Sequence, residues 1–271
     1  MKQINYDDLY KILSEYQLKF NHLDLKESIN NLFNESEDSE LKNKLWYLKT
    51  VFYIKVNFFE IFDFLKSKSK YEEAWNLMEK TQIMINNLKN NPFLCIEAFN
   101  IQYIKETLDK FELLFPYYIF SSREMIIKSS KCSICGKEYN VRNFCGHNFG
   151  KVYNGHLCQR IIEDAQLICI ALVKNPVDKY TFLKIKNEEF NYEAIDILIQ
   201  NLDSPYEEFK LEKLRLYLKP RMERNALCWC QSGKKYKKCH LDEDINGIHY
   251  KILFNKYVEP KELNIINSFK K

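Results

Sequence analysis

Residues 132–158 read CSICGKEYNVRNFCGHNFGKVYNGHLC. Cys132 and Cys135 form a C-x-x-C pair with Gly136 directly behind it, the spacing at which a tight turn aims two thiolates at one cation. Three residues further on, Cys145, His147 and Cys158, can complete the set, with His156 a weaker fourth. A tetrahedral shell has room for two of them. The spacing favours His147 and Cys158, and Cys145 stands as the close alternative. Four ligands of this kind suit Zn²⁺, although a thiolate-rich set also accommodates iron.

Working outward from this cluster, a second one occupies Arg224–His240, RNALCWCQSGKKYKKCH. Cys228 and Cys230 lie two apart, so an extended backbone turns both the same way. Ser232-Gly233 supplies the reversal that brings Cys239 and His240 to the other side of the same ion. A filled four-ligand shell is the structural rather than the catalytic arrangement. The expectation is therefore two zinc ions, one per cluster.

The second run resembles the SEC-C motif, a small zinc module found at the C-terminus of the bacterial protein-translocation ATPase. The matching residues include Arg224, Asn225, Cys228, Cys230, Ser232, Gly233, Tyr236, Cys239 and His240. Trp229 and Gln231 depart from the usual proline and glycine. The resemblance implies zinc binding and, as in that ATPase, docking to a chaperone and the ribosome. Residues from about 115 to 184 resemble an uncharacterised bacterial zinc-module family, in which a CSICG knuckle precedes Cys-x-His and Gly-x-x-Tyr-x-Gly-x-x-Cys. Here those are Cys145-Gly-His147, then Gly150, Tyr153, Gly155 and Cys158. That family has no assigned reaction, so the resemblance implies zinc and fold rather than an activity.

Cysteine placement supports metal over disulfides. Of nine cysteines, seven fall in the two clusters with three of the five histidines. The opening MKQINYDDLY carries acids early and has no apolar export segment, which makes the cytoplasm the default compartment. Cys95 and Cys169 sit among apolar neighbours and read as buried fillers. A net charge of +4 is too small to argue nucleic-acid binding by itself. The most apolar run, Val51–Leu65, contains Lys55, Glu60 and Asp63, which rules out a membrane span.

The expected fold class is mainly α. An N-terminal helical bundle (1–120) precedes a β-rich zinc module (121–186), a helical connector (187–222), the SEC-C-like knuckle (223–244) and a short tail (245–271). Apolar residues recur at helical spacing from Leu9, from Leu25, along Leu41–Phe62 and from Ala74. The Leu41–Phe62 helix is apolar on several faces and should be central. Pro92 should open a further helix and Pro116 close it. Strands are expected at Met125–Ile127, Leu167–Val173, Tyr180–Ile185 and Ile248–Phe254. Helices are expected at Glu188–Leu202, through Leu211, Leu214 and Leu218, and at Lys261–Phe269. The aromatic stripes of the bundle read as core rather than as a ligand groove.

No P-loop, GxGxxG or GxSxG signature is present. A metal-dependent nuclease could be built around His147 and His156 with Asn148 and Asn154. However, His147 is needed as a ligand and no acidic partner for Mg²⁺ lies nearby. The reading that remains is a non-catalytic adaptor whose zinc modules present surfaces to a protein or ribosome-associated partner. Lys234, Lys235, Tyr236, Lys237 and Lys238 are the candidate contact residues, and a nucleic acid is the alternative occupant.

Overall fold

A computed structural model of the 271-residue chain describes residues 4–16, 22–140, 142, 144–184, 189–215, 223–228, 232–239, 241 and 248–255. The chain divides into two compact units, one within residues 1–200 and one within 201–267. Six α-helices and three small antiparallel sheets are present among the described residues. The fold is therefore mixed α and β, which corrects the mainly-α expectation.

In the first unit, α1 (Tyr6–Ser14), α2 (His22–Glu35), α4 (Tyr71–Asn90), α5 (Ile101–Glu112) and α6 (Glu193–Gln200) pack with α3 (Ser39–Lys66). The Asp38 carboxylate starts α3 by accepting from the Glu40 N–H at 2.9 Å. Buried side chains follow on every side of α3, including Leu45, Tyr47, Leu48, Val51, Ile54, Phe58, Ile61 and Leu65. A helix apolar all round must lie inside a bundle. Pro92 does not open the next helix. A 3₁₀ turn at Ile96–Phe99 and Asn100, in the left-handed region at φ 57°, lead into α5 instead. No described helix is long and apolar enough to cross a membrane.

The expected strands around residues 125 and 167 are parts of something longer. β1 (Phe120–Cys132) and β4 (Arg160–Val173) form one antiparallel ribbon, from the pair Phe120–Val173 to the pair Cys132–Arg160, with three register irregularities. β2 (Val152–Tyr153) and β3 (His156–Leu157) make a small hairpin between them. The segment expected as a strand from Tyr180 is instead a 3₁₀ turn, Lys179–Thr181, after which Phe182 bridges to Phe120. Residues 185–188 lie outside the described residues.

One end of the ribbon is held by aromatic packing. Trp75 of α4 lies against Phe115, Tyr117 and Phe120, and its indole N–H donates to the Lys179 carbonyl at 2.8 Å. Tyr117 stacks on Phe182 at 4.0 Å, and Tyr71 stacks on Tyr192 at 3.8 Å. The aromatic stripe is core, as its spacing implied.

In the second unit, β5 (Phe209–Arg215) pairs antiparallel with β6 (Ile248–Phe254) over seven residues each. The strand at Ile248 was expected; a helix had been expected through Leu211. FKLEKLR satisfies both a helical spacing and an alternating one, and pairing with a distant strand decides between them. Phe209 is buried and Lys210 exposed, as alternation requires. The terminal helix expected at 261–269 lies outside the described residues.

Lys55 of α3 is fully buried and donates to the Glu15 carbonyl. Burial pulls its ammonium down from 10.5 to about 8, partly offset by Glu15. The unfolded chain then binds the extra proton between those two values, so stability should rise with pH from about 8 to 10.5 and be lowest below that window. Replacing Lys55 with Met should stabilise the fold at pH 7 by on the order of 1 kcal/mol or more and abolish that rise, as read by denaturant unfolding.

Candidate metal centres

The ribbon delivers its ligands by construction. β1 ends on Cys132, and Cys158 lies two residues before β4 begins. Between them the knuckle turns back on itself. The Gly136 N–H donates to the Cys132 carbonyl at 2.9 Å, and the Cys132 N–H donates to the Lys137 carbonyl at 2.9 Å. Gly136 sits at φ +71°, a conformation that favours glycine.

Cys132, Cys135, Cys145 and His147 place their ligand atoms within 4.8 Å of one another. His147 Nδ1 lies 3.7 Å from Cys132 Sγ and 3.4 Å from Cys145 Sγ. Cys158, fully buried, lies beside them with its Sγ 3.7 Å from that of Cys132. Around a tetrahedral Zn²⁺, with bonds of about 2.3 Å to sulfur and 2.0 Å to nitrogen, neighbouring donors stand roughly 3.5–3.8 Å apart. The donors fit that ion. The four mutually close donors therefore pair His147 with Cys145, the close alternative, rather than with Cys158, which stands next to Cys132 outside that set. His156 stands apart, exposed, with its ring edge-on to Phe33 at 5.7 Å.

The thiols differ in acidity. Burial opposes ionisation of Cys132, but the N–H groups of Cys135 and Ile134 and hydrogen bonds from Cys145 and Cys158 outweigh it and bring the thiol to about 6. Burial and the neighbouring Cys132 thiolate push Cys158 up to about 11. The His147 N–H favours the Cys145 thiolate, yet burial and the Cys135 and Cys132 thiols leave it raised. A metal must therefore displace protons from Cys145 and Cys158 at neutral pH.

Two asparagines, which sequence reasoning missed, pin this lobe to the helices. Asn91, buried at the end of α4, donates its amide to the Gly150 carbonyl at 2.8 Å and accepts from the Val152 N–H at 3.0 Å. Asn43 of α3 accepts from the Gly155 N–H at 2.8 Å. The only signal in the sequence was an asparagine at a helix end, which is too common to single out.

In the second unit, the knuckle folds from Glu223 to Cys239. The Cys228 N–H donates to the Lys234 carbonyl and the Tyr236 N–H to the Ala226 carbonyl, both at 2.8 Å, with Gly233 at φ +72° in the turn. Cys228 is buried, and Cys239 Sγ lies 3.4 Å from the Ser232 hydroxyl. Cys230 and His240, like Trp229 and Gln231, lie outside the described residues. Lys234, Lys235, Lys237 and Lys238 are exposed, whereas Tyr236 is buried in a 3₁₀ turn. Tyr236 therefore supports the loop and offers no contact surface. Cys95 and Cys169 are exposed, against expectation, each with its thiol on a carboxylate: Glu97 at 3.0 Å and Glu124 at 3.3 Å.

Comparison with protein families matches residues 224–242 to the SEC-C motif. Neither the curated proteins nor the solved structures compared with the chain give a match. The SEC-C match and the Cys/His cluster together point to metal binding.

Two outcomes are expected. Co²⁺ affinity of the first cluster, followed by thiolate charge-transfer absorption, should rise with pH from 6 to 8 because Cys145 and Cys158 must lose protons, and replacing Cys132 with Ser should remove that cluster's share of the signal and leave the share of the second. A Cβ at Gly155 would overlap the Phe33 ring and approach the Lys42 carbonyl to 3.1 Å, at φ +74°. Gly155→Ala should therefore cost about 1–3 kcal/mol of stability in thermal or denaturant unfolding.

Proposed function

We propose that the protein is a non-catalytic zinc-binding adaptor whose metal modules hold surfaces for a protein partner. The observation that carries this reading is the donor set around Cys132. Four thiol and imidazole groups converge there with Cys158 next to Cys132, and no carboxylate belongs to the group among the described residues. A four-ligand soft shell leaves no coordination position for a substrate or an activated water. The nuclease alternative would need His147 and His156 to act together. His147 lies inside the cluster, whereas His156 packs on Phe33 outside it.

The four lysines flanking buried Tyr236 supply the contact face. Held on a short metal-clamped loop, they suit an acidic protein surface, and the SEC-C match favours a translation- or export-associated partner of that charge. They also favour the second reading, a nucleic-acid backbone, which salt dependence distinguishes.

The purified chain should carry about two equivalents of zinc and cleave neither RNA nor DNA when Mg²⁺ or Mn²⁺ is added. Replacing Lys234, Lys235, Lys237 and Lys238 with Glu should abolish partner capture from the native cell and leave zinc content unchanged. Robust metal-dependent cleavage would overturn the adaptor reading. RNA binding that weakens steeply with salt and disappears in the same variant would replace the protein partner by a nucleic acid.

A further inference from the structure

Between its anchored ends, the β1–β4 ribbon leaves an unusual surface in water. Phe120 and Cys132 are buried, but the middle of β1 and nearly all of β4 are exposed. Among the ribbon's charged and polar residues runs a series of exposed aliphatic side chains. The register pairs Ser121 with Leu172, Arg123 with Ile170 and Met125 with Leu167, and alternation along β1 puts these pairs on one face. Met125, Leu167, Ile170 and Leu172 are 45–70% exposed there. Ile126, Ile161, Ile162 and Ile168 add a further 41–53% exposure each along the ribbon. Counted over both faces of the ribbon, these side chains present on the order of 800 Å² of aliphatic surface, about half of it on the face of Met125, Leu167, Ile170 and Leu172. A two-stranded ribbon is marginally stable by itself, and an open apolar edge invites another strand.

The composition of the patch selects its occupant. Interfaces with transient partners rely on Trp, Tyr and Arg anchors, whereas permanent homodimer interfaces resemble a cut core. The exposed patch is Ile, Leu and Met, and neither strand contains Trp or Tyr. A polyanion is disfavoured because three of the ribbon's four cations, all but Lys128, have partners of their own. Arg123 pairs with Asp178 at 3.4 Å, Lys131 with Glu163 at 2.5 Å, and Arg160 donates to Ser130 while its guanidinium lies over Tyr139. Glu124, Glu163 and Asp164 nearly balance the ribbon's positive charge, so two like surfaces meet without repulsion. We infer that a second copy of this chain covers the ribbon, aliphatic face against aliphatic face about a two-fold axis. The inference stands apart from the metal reading.

Sedimentation of the full chain at ~1–100 µM tests it. The expected particle has twice the 32.7 kDa chain mass. The double variant Ile170→Glu/Leu172→Glu should sediment as a monomer with unchanged circular dichroism and zinc content. Should that variant aggregate, Ile170→Ala/Leu172→Ala decides the matter by raising the dimer dissociation constant at least about tenfold. A wild-type monomer across the whole range, as would result if residues 256–271 of the same chain covered the ribbon, overturns the inference. So does a dimer that either variant leaves intact.

Discussion

Thiolates that share one small volume repel each other, and the arrangement around Cys132 can persist in two ways. Protons can be retained on Cys145 and Cys158, or a cation can take their place. That constraint organises much of the first unit. Cys132 terminates one long strand, Cys158 precedes the other, and the loop between them supplies Cys145 and His147. Whatever occupies the cluster therefore also fixes the separation of two strands. Loss of a metal there would be felt at the base of the ribbon before anywhere else, because backbone hydrogen bonds of the knuckle run through the same residues.

The helical unit receives this lobe in two different ways. Near the start of α4, Trp75 and its aromatic neighbours grip the open end of the ribbon by packing and a single indole hydrogen bond. At the far end of the same helix, Asn91 holds the loop after Gly150 by polar contacts alone. α4 thus works as a spacer with an apolar clamp at one end and a polar clamp at the other. α3 supplies the mass behind it, buried on all sides, and lends Asn43 to the contact with Gly155.

Much of this was legible in the sequence where a residue type has few uses. C-x-x-C with a following glycine, Cys-x-His two residues apart, and the SEC-C-like run marked the metal candidates, and helical apolar spacing marked α1 to α4. The ribbon was half-read for a physical reason. Its strands face water on both sides, so RIIEDAQLICIALV has no buried face to impose alternation, and only its most apolar part looked like a strand. β5 was misread as a helix because FKLEKLR fits either period and its partner lies more than thirty residues away in sequence, as the Phe209–Phe254 and Arg215–Ile248 pairs show. Cys95 and Cys169 misled because apolar neighbours in sequence need not be neighbours in space. The asparagine clamps could not be found at all, since a carboxamide gives no sign of its partners until the chain is folded.

The Asn91 clamp uses the carboxamide as donor and acceptor at once, which an aspartate in the same place could not do. Asparagines age into aspartate chiefly when the next residue's backbone nitrogen attacks the side-chain amide and closes a succinimide ring. The residue after Asn91 is Pro92, whose ring nitrogen carries no proton and cannot take that role. The proline expected to begin a helix instead shields the joint between the two halves of the unit from slow chemical decay.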